Sequence, residues 1–207
     1  MKSQFAVPSP PEHHAPAGPL PALRAATREH HDRIDRLMDL RRMREPGHYA
    51  RVLQVFDAFL HAWEPAVAAA LPPSRRAWLQ ARSRRAFLQQ DLTALGIGPA
   101  ALSIDIAPLP DAAAAWGSLY VIEGSALGGQ VITRSLAQAG LHPHDGAAYF
   151  HGWGDATAAM WREFRALLDA ELATPRALDQ ACTAACATFD TLTHFLEPVL
   201  HERTSAA

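Results

Sequence analysis

From about Pro21 onward, apolar residues recur every three to four positions, the spacing that places them along one face of an α-helix. Proline and glycine interrupt the pattern where helices should end. The pattern predicts helices over about 21–44, 48–65, 74–95, 111–140, 155–172 and from 175 onward. No stretch alternates between apolar and polar residues as a half-buried strand does. We therefore expect an all-α protein, a single bundle of about six or seven helices.

The helix predicted after Asp111 is unusual because it contains four glycines, at positions 117, 124, 128 and 129. A glycine in a helix interior costs about 1 kcal/mol relative to alanine, so about 4 kcal/mol of helix stability is forgone. Gly117, Gly124 and Gly128 fall on one face of this helix. A face without side chains lets a neighbouring surface approach the backbone closely. Two interpretations remain open, a close helix crossing and contact with a flat ligand.

A histidine lies on the apolar stripe of the first predicted helix. His31 shares this face with Thr27 and Ile34. A lone histidine in such a position is more often a hydrogen-bonded core residue than a ligand. Asp35, one turn later, favours the ligand interpretation. Its carboxylate can accept a hydrogen bond from one ring nitrogen and leave the other for a metal.

Composition narrows the class of protein. Residues 1–20 hold five of the sixteen prolines and few large apolar residues, which predicts a disordered Pro-rich tail before one helical domain over 21–207. Nineteen basic residues against 21 acidic ones provide no electrostatic footprint for nucleic acid or an anionic membrane. We see no signal peptide and no apolar run of spanning length, so we expect a cytoplasmic protein.

Five arginines cluster within a short stretch of the third predicted helix, at positions 75, 76, 82, 84 and 85. Because the net charge is close to zero, a nucleic-acid surface is not expected. We interpret these arginines as a solvated helix face that could dock an acidic electron donor. Glu123, on the glycine-containing helix, is expected to be structural.

Two of these motifs together resemble the heme oxygenase family. Residues 23–35 read Leu-x-x-Ala-Thr-x-x-x-His-x-x-x-Asp, which is similar to the proximal helix of heme oxygenases. Residues 119–129 read Leu-Tyr-Val-Ile-Glu-Gly-Ser-Ala-Leu-Gly-Gly and resemble the distal helix of bacterial, biliverdin-forming members. Residues 150–164 resemble a later part of the same branch. The resemblance covers about residues 20–200 and implies a single-domain heme-oxygenase-like helical bundle.

The resemblance also implies a set of site residues on the two helices. Heme would lie between them, with His31 as the axial ligand of the iron. The opposite face of heme would contact Gly124, Gly128 and Gly129, where side chains would collide with the porphyrin. Animal members carry an aspartate where this chain has Ser125, and several bacterial relatives share the serine. We expect Ser125, Gly124 and Gly128 to take the catalytic positions, with Ser125 holding a water molecule.

Two cations and a tyrosine complete the expected heme contacts. Arg24 and Arg28 flank the histidine motif where the family uses basic residues, and arginine binds carboxylates such as the heme propionates through two parallel hydrogen bonds. Each could equally be a solvated surface residue. Tyr120 would face the heme edge or simply pack in the core.

The activity that the resemblance implies is oxidative ring opening of heme to biliverdin, carbon monoxide and iron, with heme as both substrate and cofactor. It requires dioxygen and an electron donor such as a ferredoxin or a flavin reductase. A bacteriophytochrome is a candidate acceptor of the bilin. Because the distal aspartate is missing, a heme-binding or heme-handling protein of the same fold without ring-opening activity is the alternative.

Overall fold

The computed structural model describes residues 18–201, which form helices and connecting loops. The α-helices in this range are α1 (Pro19–Met38), α2 (Pro46–Ala70), α3 (Arg76–Ala81), α4 (Arg85–Ala94), α5 (Ala112–Ala137), α6 (Ala148–His151), α7 (Thr157–Glu171) and α8 (Pro175–His201). Short 3₁₀ turns precede α2, α3 and α7. These residues contain no strand, which confirms the predicted all-α class. None of the eight helices is long and apolar enough to span a membrane.

Helix α5 lies at the centre of the bundle, packed along α8, and α8 in turn packs along α1. The Asp111 carboxylate caps α5 by accepting a hydrogen bond of 2.9 Å from the Ala114 N–H, as its sequence position predicts. Deeper in the core, the Trp63 indole donates to the Ser118 hydroxyl at 2.7 Å, and Ser118 is hydrogen-bonded to Thr188 at 2.7 Å. These buried bonds tie the middle of α5 to α2 and α8.

Several predicted helix ends are wrong. Helix α1 ends at Met38 rather than near residue 44, because Asp39 adopts a left-handed conformation with φ of 40°. Pro46 begins α2 instead of closing α1, since a proline in the first helical turn has no N–H that needs an acceptor. Pro65, where we expect the second helix to kink or end, lies inside α2 and does not end it. The predicted third helix is divided into α3 and α4 by residues 82–84.

The predicted Pro-rich tail falls mostly outside the described part of the chain, which begins at residue 18. Pro19 and Leu20, which we assigned to the tail, instead form the first turn of α1. Leu20 is buried, so the helix begins where the first apolar residue of its stripe can reach the core.

Candidate functional site

A cavity of about 490 Å³ lies between α1 and α5, a size typical of small-molecule sites. From α1 it is lined by Arg24, His31, Ile34, Asp35 and Met38. The wall formed by α5 includes Tyr120, Gly124, Ser125, Leu127, Gly128 and Val131. Apolar and aromatic side chains from other segments close the rest, among them Met43, Phe56, Tyr149, Phe150, Trp161 and Phe189. The space suits a large apolar ligand with a few polar groups at its edge.

His31 is oriented by a partner on its own helix. Its Nδ1 lies 3.2 Å from the Asp35 carboxylate, so Nε2 is the nitrogen that a metal in the cavity would meet. The hydrogen bond to Asp35 raises the pKa of His31, burial partly opposes this rise, and the charges of Asp35 and Asp32 add to it. The ring lies edge-on to Phe189, with 5.9 Å between centroids. This is the geometry that the spacing of His31 and Asp35 predicts.

The neighbouring histidine and the two expected arginines are placed differently. His30 faces α8, where its Nδ1 lies 2.7 Å from the Asp190 carboxylate, and it does not line the cavity. Arg24 lines the cavity, as expected of a propionate-binding residue. Arg28 does not line the cavity: it is exposed beside His30 in a shallow groove on the outer surface of α1, which favours the solvated-surface alternative over a propionate-binding role.

Two of the four glycines of α5 face the cavity. At Gly128 an added Cβ would meet no atom within 4 Å, so the missing side chain leaves open space in the cavity wall. At Gly124 an added Cβ would lie 3.9 Å from the Trp161 ring, an ordinary contact distance. A flat ligand could therefore approach the helix backbone at these two positions.

The other two glycines serve helix packing. An added Cβ at Gly117 would collide with the backbone of Ala181 on α8, and one at Gly129 would collide with the backbone carbonyl of Phe150. Gly129 is buried and does not line the cavity, which corrects the expectation that it covers a heme face. Gly117 and Gly129 therefore fit the close-packing interpretation, whereas Gly124 and Gly128 leave bare backbone at the cavity wall.

Two polar residues of α5 complete the wall that faces His31. Tyr120 is half-buried and lines the cavity beside Trp161, with 6.4 Å between ring centroids. Ser125 also lines the cavity, and its hydroxyl donates a hydrogen bond of 2.8 Å to the Ile122 carbonyl. The Ser125 side chain is therefore part of the cavity wall.

The expectation of a solvated arginine face is wrong for the two arginines between α3 and α4. Arg82 is buried and binds both carboxylate oxygens of Glu123, at 2.6 and 3.1 Å, and it also reaches Glu163 at 3.3 Å. The structural role expected for Glu123 is confirmed by this ion pair. Arg84 is buried as well and contacts the part of α5 that carries Ser125. Tertiary partners from α5 and α7 make this burial possible, because each charge is hydrogen-bonded.

An acidic residue that the sequence does not single out positions the first residues of the short helix α6. The buried Asp91 carboxylate accepts hydrogen bonds from the backbone N–H groups of Ala148 and Tyr149, at 2.7 and 2.8 Å. Burial raises the pKa of Asp91, and these two bonds partly oppose the rise. The bonds hold Tyr149 and Phe150 at the cavity wall. An acidic residue directly beside the apolar stripe of α4 is the signal that could have indicated it.

Comparison with known proteins places this geometry in a family. The heme oxygenase family model matches residues 20–197. A curated heme oxygenase from Xanthomonas campestris pv. campestris (strain 8004) is 38% identical over 146 residues, covering 68% of this chain and 84% of that protein. The solved structure of NO- and CO-bound heme oxygenase from Neisseria meningitidis has a TM-score of 0.73 at 24% identity, covering 92% of this chain and 96% of the other. This last likeness concerns the fold.

Proposed function

The chain belongs to the heme oxygenase family, and from this premise we propose that heme binds in the cavity between α1 and α5. Heme oxygenase function makes the protein an oxidoreductase. We propose that it opens the heme ring with dioxygen and external electrons and releases biliverdin, carbon monoxide and iron. The observation that carries the placement is that His31 and the bare backbone of Gly124 and Gly128 line the same cavity.

The residues around the cavity fit heme in three respects. His31 directs one ring nitrogen to Asp35, which leaves the other for iron and favours its role as a basic axial ligand. The walls are mostly apolar and aromatic, as a porphyrin requires. Arg24 provides a cation at the edge of the cavity for a propionate carboxylate. We therefore assign His31 to the iron and Arg24 to a propionate.

Bound heme supplies both the ring that is cleaved and the iron at which dioxygen is reduced. The chain contributes geometry and hydrogen bonding. Gly124 and Gly128 leave space for dioxygen on the α5 side, where larger residues would occupy it. Ser125 offers a hydroxyl oxygen to a water molecule in the same space. Aromatic walls, including Phe150 and Trp161, exclude bulk water from the reaction.

Mixing the purified protein with hemin, and then with a reductant under air, tests the proposal. We expect a Soret band on hemin binding, followed by its loss and by broad red bilin absorbance. The variant His31→Ala, which lacks the proposed iron ligand, should lose this activity. The variant His30→Ala, which changes a histidine outside the cavity, should keep it. Absence of hemin binding by the unsubstituted protein contradicts the assignment of the cavity.

A heme-binding protein without ring-opening activity is the second candidate. The observation that favours it is the state of Ser125, which stands at the aspartate position of the animal enzymes. Its hydroxyl hydrogen is already donated to Ile122, so it has no proton to donate into the cavity. In the same experiment, this candidate keeps its Soret band after reduction under air.

The electron donor and the acceptor of the product are further parts of the proposal. We propose a ferredoxin or a flavin reductase as donor, because cleavage of the ring consumes electrons that the chain itself does not carry. A bacteriophytochrome is the proposed acceptor if the biliverdin serves as a chromophore. Heme turnover measured with a ferredoxin and with a flavin reductase, at equal reduction potential, shows which class of donor the protein uses.

A further inference from the structure

A buried guanidinium stands behind the glycine-bearing wall of the cavity. Arg84 is only 5% exposed, although arginine is rarely buried without a paired carboxylate. Its Nη2 donates to the Ile122 carbonyl and to the Ser125 hydroxyl, both at 2.7 Å. Within residues 18–201 no ion pair includes Arg84, whereas Arg82 beside it is paired with Glu123. The direct hydrogen-bond partners of Arg84 are therefore neutral. The carboxylates of Glu64 and Glu123 line the same small pocket as Arg84, but they bind Ser83 and Arg82.

The third contact of Arg84 is with Tyr149, another residue that lines the cavity. The Arg84 Cζ lies over the Tyr149 ring, 4.9 Å from the centroid, a distance typical of a cation–π interaction. Tyr149 and Ser125 both line the cavity. The guanidinium thus lies one layer of residues behind the cavity surface. Because arginine stays protonated at any pH a folded protein tolerates, this charge is permanent.

The contact with Arg84 also determines how Ser125 can bond. The guanidinium N–H uses one lone pair of the Ser125 oxygen, and the hydroxyl hydrogen is directed to the Ile122 carbonyl at 2.8 Å. A hydroxyl has one hydrogen and two lone pairs, so only a lone pair is left for the cavity. Ser125 is therefore an acceptor toward any water molecule or ligand there.

We propose that Arg84 is a positioning residue of the heme site, which orients the Ser125 hydroxyl as an acceptor and places a positive charge behind the α5 wall. The proposal rests on the proposed function, since it concerns heme in this cavity. A fixed positive charge favours the anionic form of a group that binds iron on that side. The other charged or titratable groups that line the cavity are Arg24, His31, Asp35, Tyr120 and Tyr149, and a substitution at position 84 leaves them in place.

The transition of water to hydroxide on ferric iron, followed by absorbance from neutral to alkaline pH, reports this charge without any turnover. In hemin-loaded Arg84→Met, which is neutral and of similar length, we expect the pKa of the transition to rise by about one unit. Arg84→Lys keeps the charge and should stay within about half a unit of the unsubstituted protein. Arg76→Met, at an exposed arginine on α3, is the matched control and should not change the transition.

A second substitution, at Ser125, separates the effect of the hydroxyl orientation from that of the Arg84 charge. Ser125→Ala should shift the transition when Arg84 is present and have little effect in Arg84→Met, because the two side chains act through one contact. An equal effect of Ser125→Ala in both backgrounds overturns the positioning role. If Arg84→Met does not fold, Arg84→Gln replaces it, since glutamine keeps a donor for Ile122 without the charge.

The possible failures are distinguishable. If the unsubstituted protein binds hemin and every variant shows the same transition, Arg84 has no role toward heme, and the proposed function stands. If the unsubstituted protein binds no hemin, the proposed function fails and the role of Arg84 fails with it.

Discussion

The two helices that enclose the cavity are specified over very different sequence distances. On α1 one side chain, His31, is oriented by Asp35 four residues later. On α5 the wall at Gly124 and Gly128 has almost no side chains, and the partners that hold it, Arg82 and Arg84, come from a segment 41 residues earlier. A functional side chain can thus be positioned by its own helix, whereas a bare backbone surface needs support from other parts of the fold.

Removing the functional side chain of α1 should have the largest effect on activity. His31→Ala removes the residue that we propose as the iron ligand, so we expect hemin turnover to fall by more than about 100-fold, since partners of metal ligands alone contribute about 10–100-fold. Unfolding stability should change little because the ring is 59% exposed. Single-turnover absorbance and a urea unfolding curve measure the two effects. His30→Ala should keep activity, and equal losses in both variants would refute the assignment of the ligand.

On the α5 side, the largest effect should be on stability. Arg82→Met leaves the Glu123 carboxylate, which is only 12% exposed, without its partner, and we expect a loss of about 3–5 kcal/mol in the free energy of unfolding. The double variant Arg82→Met/Glu123→Leu should recover much of that loss, because the remaining carboxylate partner of Arg82, Glu163, is exposed to water. Urea unfolding of the heme-free protein gives both values. A single variant as stable as the parent would show that α5 is not held by this pair.

Substitutions at the glycines of α5 test whether some of them serve helix packing and others face the cavity. Gly117→Ala places a methyl group against the Ala181 backbone, and we expect it to destabilise the protein by about 1–3 kcal/mol. Gly128→Ala meets open space and should stabilise the heme-free protein by up to about 1 kcal/mol through helix propensity. Chemical denaturation measures both. Changes of the same sign would contradict the division into packing and cavity glycines.

A larger residue at Gly128 should change hemin binding without changing the stability of the fold. Gly128→Leu fills space that we assign to heme, so hemin affinity should fall while the unfolding midpoint is kept. Hemin titration by absorbance measures the affinity. Unchanged affinity would show that heme does not contact this part of α5.

The smallest expected effect concerns the local partner on α1. Asp35 raises the pKa of His31, and a proton on the ring competes with iron, so hemin affinity should fall as the pH drops through this raised pKa. Asp35→Asn removes the largest cause of the rise, so the loss of affinity on acidification should begin at lower pH. At mildly alkaline pH we expect about tenfold weaker binding from the less basic ring. Hemin titrations across the pH range test both, and an unchanged pH profile would count against the pair.

Sequence spacing was sufficient wherever the interacting groups lie on one helix. The Asp111 cap, the His31–Asp35 pair and the placement of Gly124 and Gly128 on one face all follow from the helical repeat of about 3.6 residues. Predictions from sequence spacing were wrong where the interacting partners come from other helices. Arg28 has the spacing of a cavity residue and lies outside the cavity, and the burial of Arg82 and Arg84 depends on acceptors from α5 and α7.

The amino-acid sequence by itself determined the all-α class, the order of the long helices and the residues that carry the family likeness, because these depend on periodicity, helix breakers and motif spacing. Tertiary structure alone decided which glycines meet α8 or Phe150 and which face the cavity. It also decided that a permanent charge lies behind Ser125. The physical reason is that steric contact and desolvation depend on which surfaces meet, and a helical repeat specifies only which residues share a face.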